Sequence, residues 1–135
     1  MNTRLGAVTL VVRDYDEAID FFVNRLGFTL ESDESLGVGK RWVIVAPSGA
    51  GQGGCRLLLA RAVTSSQRAA IGAQTGGRVF LFLETDDFDR DYQRFRINGV
   101  VFRETPRDED YGRVAVFEDI CGNLWDLIEP RTAAR

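Results

Sequence analysis

Histidine is absent from this chain of 135 residues. Nothing in it can act as an imidazole base, as an activator of a nucleophile or as an imidazole metal ligand. Cysteine is nearly absent too. Cys55 and Cys121 are too few and too isolated for a disulfide framework or a CxxC metal site, and with no histidine beside them both thiols read as inert. Lysine occurs once, at Lys40, so arginine supplies nearly all of the 17 basic residues, set against 20 acidic ones. The net charge of −3 is spread along the chain, which argues against a basic nucleic-acid stripe or a membrane-binding face. No apolar run approaches the ~20 residues of a spanning helix. Residues Met1 to Leu5 lack the charged-then-apolar opening of a signal peptide. The expectation is a cytoplasmic protein with no nucleic-acid and no membrane partner. The glycine-rich stretch PSGAGQGG, residues 47–54, lacks the Lys-Ser/Thr of a phosphate loop and the strand–helix setting of a dinucleotide site, and reads as a flexible turn.

What is present is a globular balance, 44% hydrophobic and 27% charged, in a length that suits one domain. Within it one pattern is written twice. Val8 to Val12 is an apolar, β-branched strand. Asp14 precedes Glu17 by three residues, an acidic variant of the capping box, and Tyr15, Ala18, Ile19, Phe22 and Leu26 then mark one helical face up to Gly27. Strands are expected over 28–31, 40–46 and 56–61. The second copy starts at Val79 to Leu83. Asp87 caps a helix carrying Phe88, Tyr92 and Phe95, Gly99 ends it, and strands are expected over 100–103, 113–118 and 124–129. A shift of 73 residues lays Asp14 on Asp87, Tyr15 on Phe88 and Phe22 on Phe95. The expected organisation is a single domain, 1–135, with one module over about 4–62, a linker over about 63–77 that can form a short helix, and a second module over about 78–130.

Each copy reads β-α-β-β-β, a sheet with one face covered by its helix and the other bare. Four short strands do not stay folded with that face in water. The expected fold class is therefore α+β: two paired βαβββ modules whose curled mixed sheets surround a cavity, the kind of concave place where small molecules bind.

The stretches VTLVVRDYDEAIDFFVNRLGF, TGGRVFLFLETDDFDRDYQRFRINGVVF and YGRVAVFEDICGNLWDLIEP resemble the vicinal oxygen chelate superfamily, which includes glyoxalase I, bleomycin-resistance proteins and extradiol dioxygenases. The resemblance covers most of the chain. Its most specific part is the D-x-x-G-N preceding the last strand, and it falls nearest to a bacterial glyoxalase-like group. It implies paired modules and a homodimer. It also implies a divalent metal held by a histidine on the first strand and a Glu or Gln on the fourth strand of each module. Those four positions fall here on Ala7, Leu58, Phe80 and Asp126, and the repeat shift independently carries Ala7 to Phe80. Only one of the four can bind a metal, and Zn²⁺, Ni²⁺ or Fe²⁺ needs imidazole, thiolate or several converging carboxylates. No metal and no other cofactor is expected, which disfavours metal-dependent dioxygenase and glyoxalase I chemistry.

Several side chains have two readings. Asp126 is a carboxylate on the floor of the cavity, acting as a base or binding a ligand cation; or it is neutralised by an arginine, a relic of a metal site. Phe80 is a stacking surface for a flat ligand or plain core. Arg41 and Arg113, near the starts of cavity-lining strands, clamp a ligand carboxylate, pair with Asp126, or are solvated surface. Tyr111, with Gly112, closes the cavity or merely turns the chain. Trp125 alternates away from Asp126 and should pack under a helix. The leading functional expectation is a glyoxalase/bleomycin-resistance type protein that binds a small organic molecule without metal. The alternatives are a glyoxalase-like lyase or isomerase using Asp126 as acid or base, and a partner-binding module with no ligand.

Overall fold

The computed structural model describes residues 2–51 and 53–131; Gln52, in the turn expected over 47–54, lies outside them. The chain divides into two compact units, Met1–Ile71 and Gly72–Arg135, a boundary inside the expected linker. The first contains β1 (Ala7–Val12), α1 (Tyr15–Ile19) continued by a π-helical turn (Asp20–Arg25), β2 (Thr29–Ser35), β3 (Arg41–Ala46), β4 (Arg56–Arg61) and α2 (Ser65–Ala70). The second contains β5 (Val79–Glu84), α3 (Phe88–Ile97), β6 (Arg107–Glu109), β7 (Gly112–Glu118) and β8 (Leu124–Pro130). Each unit has one four-stranded sheet, ordered β1-β4-β3-β2 in the first and β5-β8-β7-β6 in the second. The first strand of each sheet pairs in parallel with the last, and the remaining pairs are antiparallel. The fold is thus α+β, a βαβββ module used twice.

Strand alternation decides which side of each sheet is covered. In the first unit Leu10, Val12, Val43, Val45, Leu57 and Leu59 are buried, together with Tyr15, Ala18, Phe21 and Phe22 of the helix. Their neighbours Thr9, Val11, Leu58 and Ala60 point the other way, since Thr9 pairs with Leu58 and Val11 with Ala60 on the opposite phase of the same ladder. In the second unit Ala115, Phe117, Trp125 and Leu127 are buried with Phe88 and Phe95 of α3. Trp125 stacks on Phe117 at 5.7 Å, and Phe117 meets Phe95 edge-on at the same separation, which puts the indole under α3 as expected.

Both expected helix starts form. The Asp14 carboxylate accepts from the Glu17 amide at 2.7 Å, and the Asp87 carboxylate from the Arg90 amide at 3.1 Å. Glu17, however, does not reach back to Asp14; it pairs with Arg13 at 2.9 Å. Gly27 and Gly99, with φ of 77° and 87°, end the two helical stretches in the left-handed conformation that favours glycine. The first helix departs from a uniform 3.6-residue period. The Leu26 amide donates five residues back to the Phe21 carbonyl, at 3.1 Å, and this wider turn buries Phe21 beside Phe22 while Ile19 is only half-buried. The linker helix α2 carries a complete capping box between Thr64 and Gln67.

The strand expected over 100–103 is not regular. Arg103 donates to the Val116 carbonyl at 2.8 Å and Glu118 to the Val101 carbonyl at 3.0 Å, but only one bridge, Phe102 to Phe117, forms. The ladder breaks because the Glu104 carboxylate takes the Val116 amide at 2.9 Å, and pairing with β7 resumes only at β6.

The D-x-x-G-N stretch has a structural explanation. Asp119 is buried, and its carboxylate accepts from the amides of Cys121 and Asn123, from the Asn123 side chain and from Trp125 Nε1, all at 2.9–3.1 Å. It therefore ties the turn before β8 to the indole beneath α3. Asp119→Ala leaves these buried donors unpaired and should cost about 3–5 kcal/mol in urea unfolding, given 1–3 kcal/mol for each strong buried bond and incomplete additivity.

Candidate functional site

In the first unit the uncovered side of the sheet carries a hollow of about 610 Å³, within the size range of small-molecule sites. Thr9, Val11, Leu58 and Ala60 of β1 and β4 line it, with Trp42 of β3. Trp42 belongs to this side because Ile44, two residues on, pairs with Leu58. Its indole is 43% exposed, unusual for so large an apolar ring. The β2–β3 turn, including Leu36, Val38 and Lys40, and the β4–α2 region, including Arg61, Val63 and Gln67, add to the lining, which reaches round the strand ends to Tyr15 and Arg41.

In the second unit the corresponding side of the sheet carries Asp126. On β8 it pairs with Phe82 of β5 and Val116 of β7. Asp126 is 7% exposed, and its Oδ1 is buried with no hydrogen-bond partner among the described residues. Burial pushes its carboxyl above its ordinary value; the charge of Arg107 works against that rise and the charge of Glu104 adds to it. Arg107 is itself held by Glu104 at 3.1 Å, by Glu109, and by the Tyr111 hydroxyl, which accepts at 3.3 Å.

The expected site residues separate accordingly. Leu58 lines the hollow. Ala7 does not: it pairs with Arg56, which is held by Glu31 at 2.8 Å, and the residue beside Leu58 is Thr9. Phe80 is the extra residue where the β5–β8 register slips between Val79 and Leu81, and the partner of Asp126 is Phe82, which an unslipped ladder would have made Leu81. The shift that carries Ala7 to Phe80 also carries Thr9 to Phe82, so the repeat was informative but two residues removed from the closest pairs. Tyr111 is linked to the surroundings of Asp126 through Arg107.

Arg41 borders the hollow, as expected, and Arg113 does not, but both guanidinium groups are engaged by the framework in the same way. The Arg41 guanidinium lies over the Tyr15 ring at 5.1 Å and pairs with Asp33 at 2.7 Å and Asp16 at 2.9 Å. Arg113 lies over the Phe88 ring at 5.3 Å and pairs with Asp108 at 3.2 Å and Asp89 at 3.5 Å. Each arginine ties its strand to the first turn of the helix and to the neighbouring edge strand. The bond to Arg41 also holds the Asp33 carboxyl below its ordinary value.

These donors do not fit the superfamily's divalent metal. The position at Ala7 offers no ligand and pairs with an arginine; Leu58 and the residues flanking Asp126 are apolar; and the charge nearest Asp126 includes a guanidinium. Among the described residues no three His, Cys, Asp or Glu side chains converge as a metal site. Nor, among them, is any helix long and apolar enough to cross a membrane.

Sequence reasoning passed over Trp42, Thr9, Phe82, Arg107 and Glu104. The phase of Trp42 was legible once Leu58 was assigned to the uncovered side. The link from Arg107 and Glu104 to Asp126 depends on an irregular segment that carries no periodic signal.

A repeated βαβββ module with an uncovered sheet side in each copy defines a class of small-molecule-binding and metal-enzyme folds. The match to the Glyoxalase/Bleomycin resistance protein/Dioxygenase superfamily spans residues 4–127, and the chain belongs to that superfamily. An uncharacterized protein of Shewanella frigidimarina is 56% identical over 96% of this chain and 95% of its own length. Among solved structures, UcmS2 is similar at TM-score 0.81 and 27% identity, covering 96% of this chain and 99% of its own. TnmS3, an antibiotic binding protein from Streptomyces sp. CB03234, is similar at TM-score 0.76 and 32% identity, covering 96% and 98%.

Because the folded chain binds the Asp126 proton more tightly than the unfolded chain does, this residue's contribution to stability falls as pH rises through the carboxylate range. Asp126→Asn should therefore unfold at higher urea than the parent near pH 7, by about 1 kcal/mol, the low end for an unpaired buried group. The gap should close below about pH 4, where the parent carboxyl is protonated in both states.

Proposed function

We propose that the chain binds a small organic molecule in the hollow of its first unit and holds it without a divalent metal, sequestering the molecule rather than converting it. The carrying observation is the hollow itself: about 610 Å³, with Leu58 in its lining where the superfamily carries a metal ligand, and an exposed indole beside it. Trp42 suits stacking against a flat ring system. The similarity to TnmS3, described as an antibiotic binding protein, supports sequestration over catalysis. On this reading Asp126, Tyr111 and Phe80 belong to the binding surface of the second unit, Ala7 stands outside the hollow of the first, and Arg41 and Arg113 hold the framework. The protein acts as a homodimer, as the superfamily resemblance implies, in the cytoplasm and with no nucleic-acid or membrane partner.

A second reading is favoured by the buried, unpartnered Oδ1 of Asp126. Burial raises this carboxyl above its ordinary value, which suits it better to proton transfer, as in a glyoxalase-like lyase or isomerase. Turnover of an α-hydroxyketone or related acid, lost in Asp126→Asn while substrate affinity survives, would establish the enzyme and displace sequestration.

The leading reading is tested by titrating the purified protein with planar aromatic antibiotics and following tryptophan emission. The expected result is saturable quenching of Trp42, unchanged by excess chelator, with affinity lost by roughly tenfold or more in Leu58→Arg, which sets a charge in the apolar floor. Near-stoichiometric metal in the purified protein, abolished by Asp126→Ala, would overturn it, as would binding that disappears on chelation.

A further inference from the structure

The hollow of the first unit combines an apolar floor with a cationic mouth. Its lining contains Lys40, Arg41 and Arg61 and no aspartate or glutamate, in a chain whose net charge is −3. Arg41 is neutralised by Asp33 and Asp16. Arg61 is not neutralised: it donates from Nε at 3.2 Å and from Nη2 at 3.0 Å to the Gly39 carbonyl, and has no carboxylate partner among the described residues. A guanidinium has five N–H donors, so Arg61 retains several for a ligand. Gly39 leaves room for it. A Cβ there would meet Nη2 at 2.9 Å, and the φ of 71° at this turn favours glycine in any case. The Lys40 side chain likewise has no acidic partner among the described residues. The carboxylates near this rim are already engaged, Asp14 as the cap of α1 and Asp33 by Arg41.

We propose, resting on the small-molecule reading above, that the hollow selects flat aromatic molecules bearing an anionic group, with the rings against Trp42 and Leu58 and the anion at Arg61 and Lys40. Carboxylates and acidic phenols of polycyclic compounds have this chemistry. Two cations held at an apolar wall attract an anion more strongly than two free in water, because the low-dielectric floor and the excluded solvent reduce screening. The same arrangement repels an amine of identical shape.

Three probes that share one ring system separate charge from shape: anthracene carboxylate, the neutral anthracene carbinol and the cationic anthracenylmethylamine. Each is titrated into the full chain at low salt with Trp42 emission as the readout, and Trp42→Phe identifies the responding indole. The carboxylate should bind about tenfold tighter than the carbinol, a difference of the size two partly screened ion pairs supply, with the amine weakest. The ratio of carboxylate to carbinol affinity should shrink to about twofold in Lys40→Gln/Arg61→Gln and on adding salt. Lys40→Gln alone, which leaves the Arg61 bonds to Gly39 intact, should lose part of it. If the carbinol binds as well as the carboxylate, or if the preference survives the double substitution, the anion selectivity is wrong and the small-molecule reading stands. If none of the three quenches Trp42, both fall.

Discussion

Each module is held together by a single constraint: one helical segment can cover only one side of a four-stranded sheet. The covered side takes the alternate residues Leu10, Val12, Val43, Val45 and Leu59 in the first unit, and Ala115, Phe117, Trp125 and Leu127 in the second. The apolar wall of the hollow follows from the residues of the other phase, which the same backbone presents in the opposite direction, while Arg61 reaches the hollow from the end of β4. Thr9, Leu58 and Trp42 are where they are because their neighbours had to be under the helix. Burial of the core and presentation of the candidate site are therefore one event.

The two copies share the devices that keep them folded. An aspartate caps each helix, a glycine ends it, and an arginine at the start of the third strand lies over the helix's first aromatic ring while bridging two aspartates. Tyr15, Arg41, Asp16 and Asp33 in one copy answer to Phe88, Arg113, Asp89 and Asp108 in the other. Each pair is only partly buried, so each contributes modestly; what the set adds is a fixed angle between helix start and sheet edge. The uncovered sides, by contrast, have diverged. One has Thr9 beside Leu58 and an exposed tryptophan; the other has Phe82 beside a buried acid under the influence of Arg107 and Glu104. Neither retains a donor set for a divalent cation.

Most of the architecture was readable in the chain. Strand phase, caps and terminating glycines are local signals, and they fell where the elements formed. The exceptions have identifiable causes. Phe21 is buried because one π-helical turn lets two adjacent phenylalanines reach the sheet, which a uniform helical period cannot anticipate. The strand expected over 100–103 reduces to a bridge because a side chain, Glu104, takes the backbone amide a partner strand would need. Phe82 rather than Leu81 faces Asp126 because the register slips by one residue at Phe80, within β5.

By itself the sequence determined the repeated module, its helix caps and terminating glycines, and the lack of any imidazole. These are properties of residue identity and short-range period. Tertiary structure decided which residues become neighbours across strands, that Arg41 and Arg113 serve the framework, and that Arg61 and Lys40 stand at the mouth of an apolar hollow without acidic partners. Pairing between strands depends on register and on bulges, and the partner of a long charged side chain depends on which chain segments come within its reach. Neither is set by the residues adjacent in sequence.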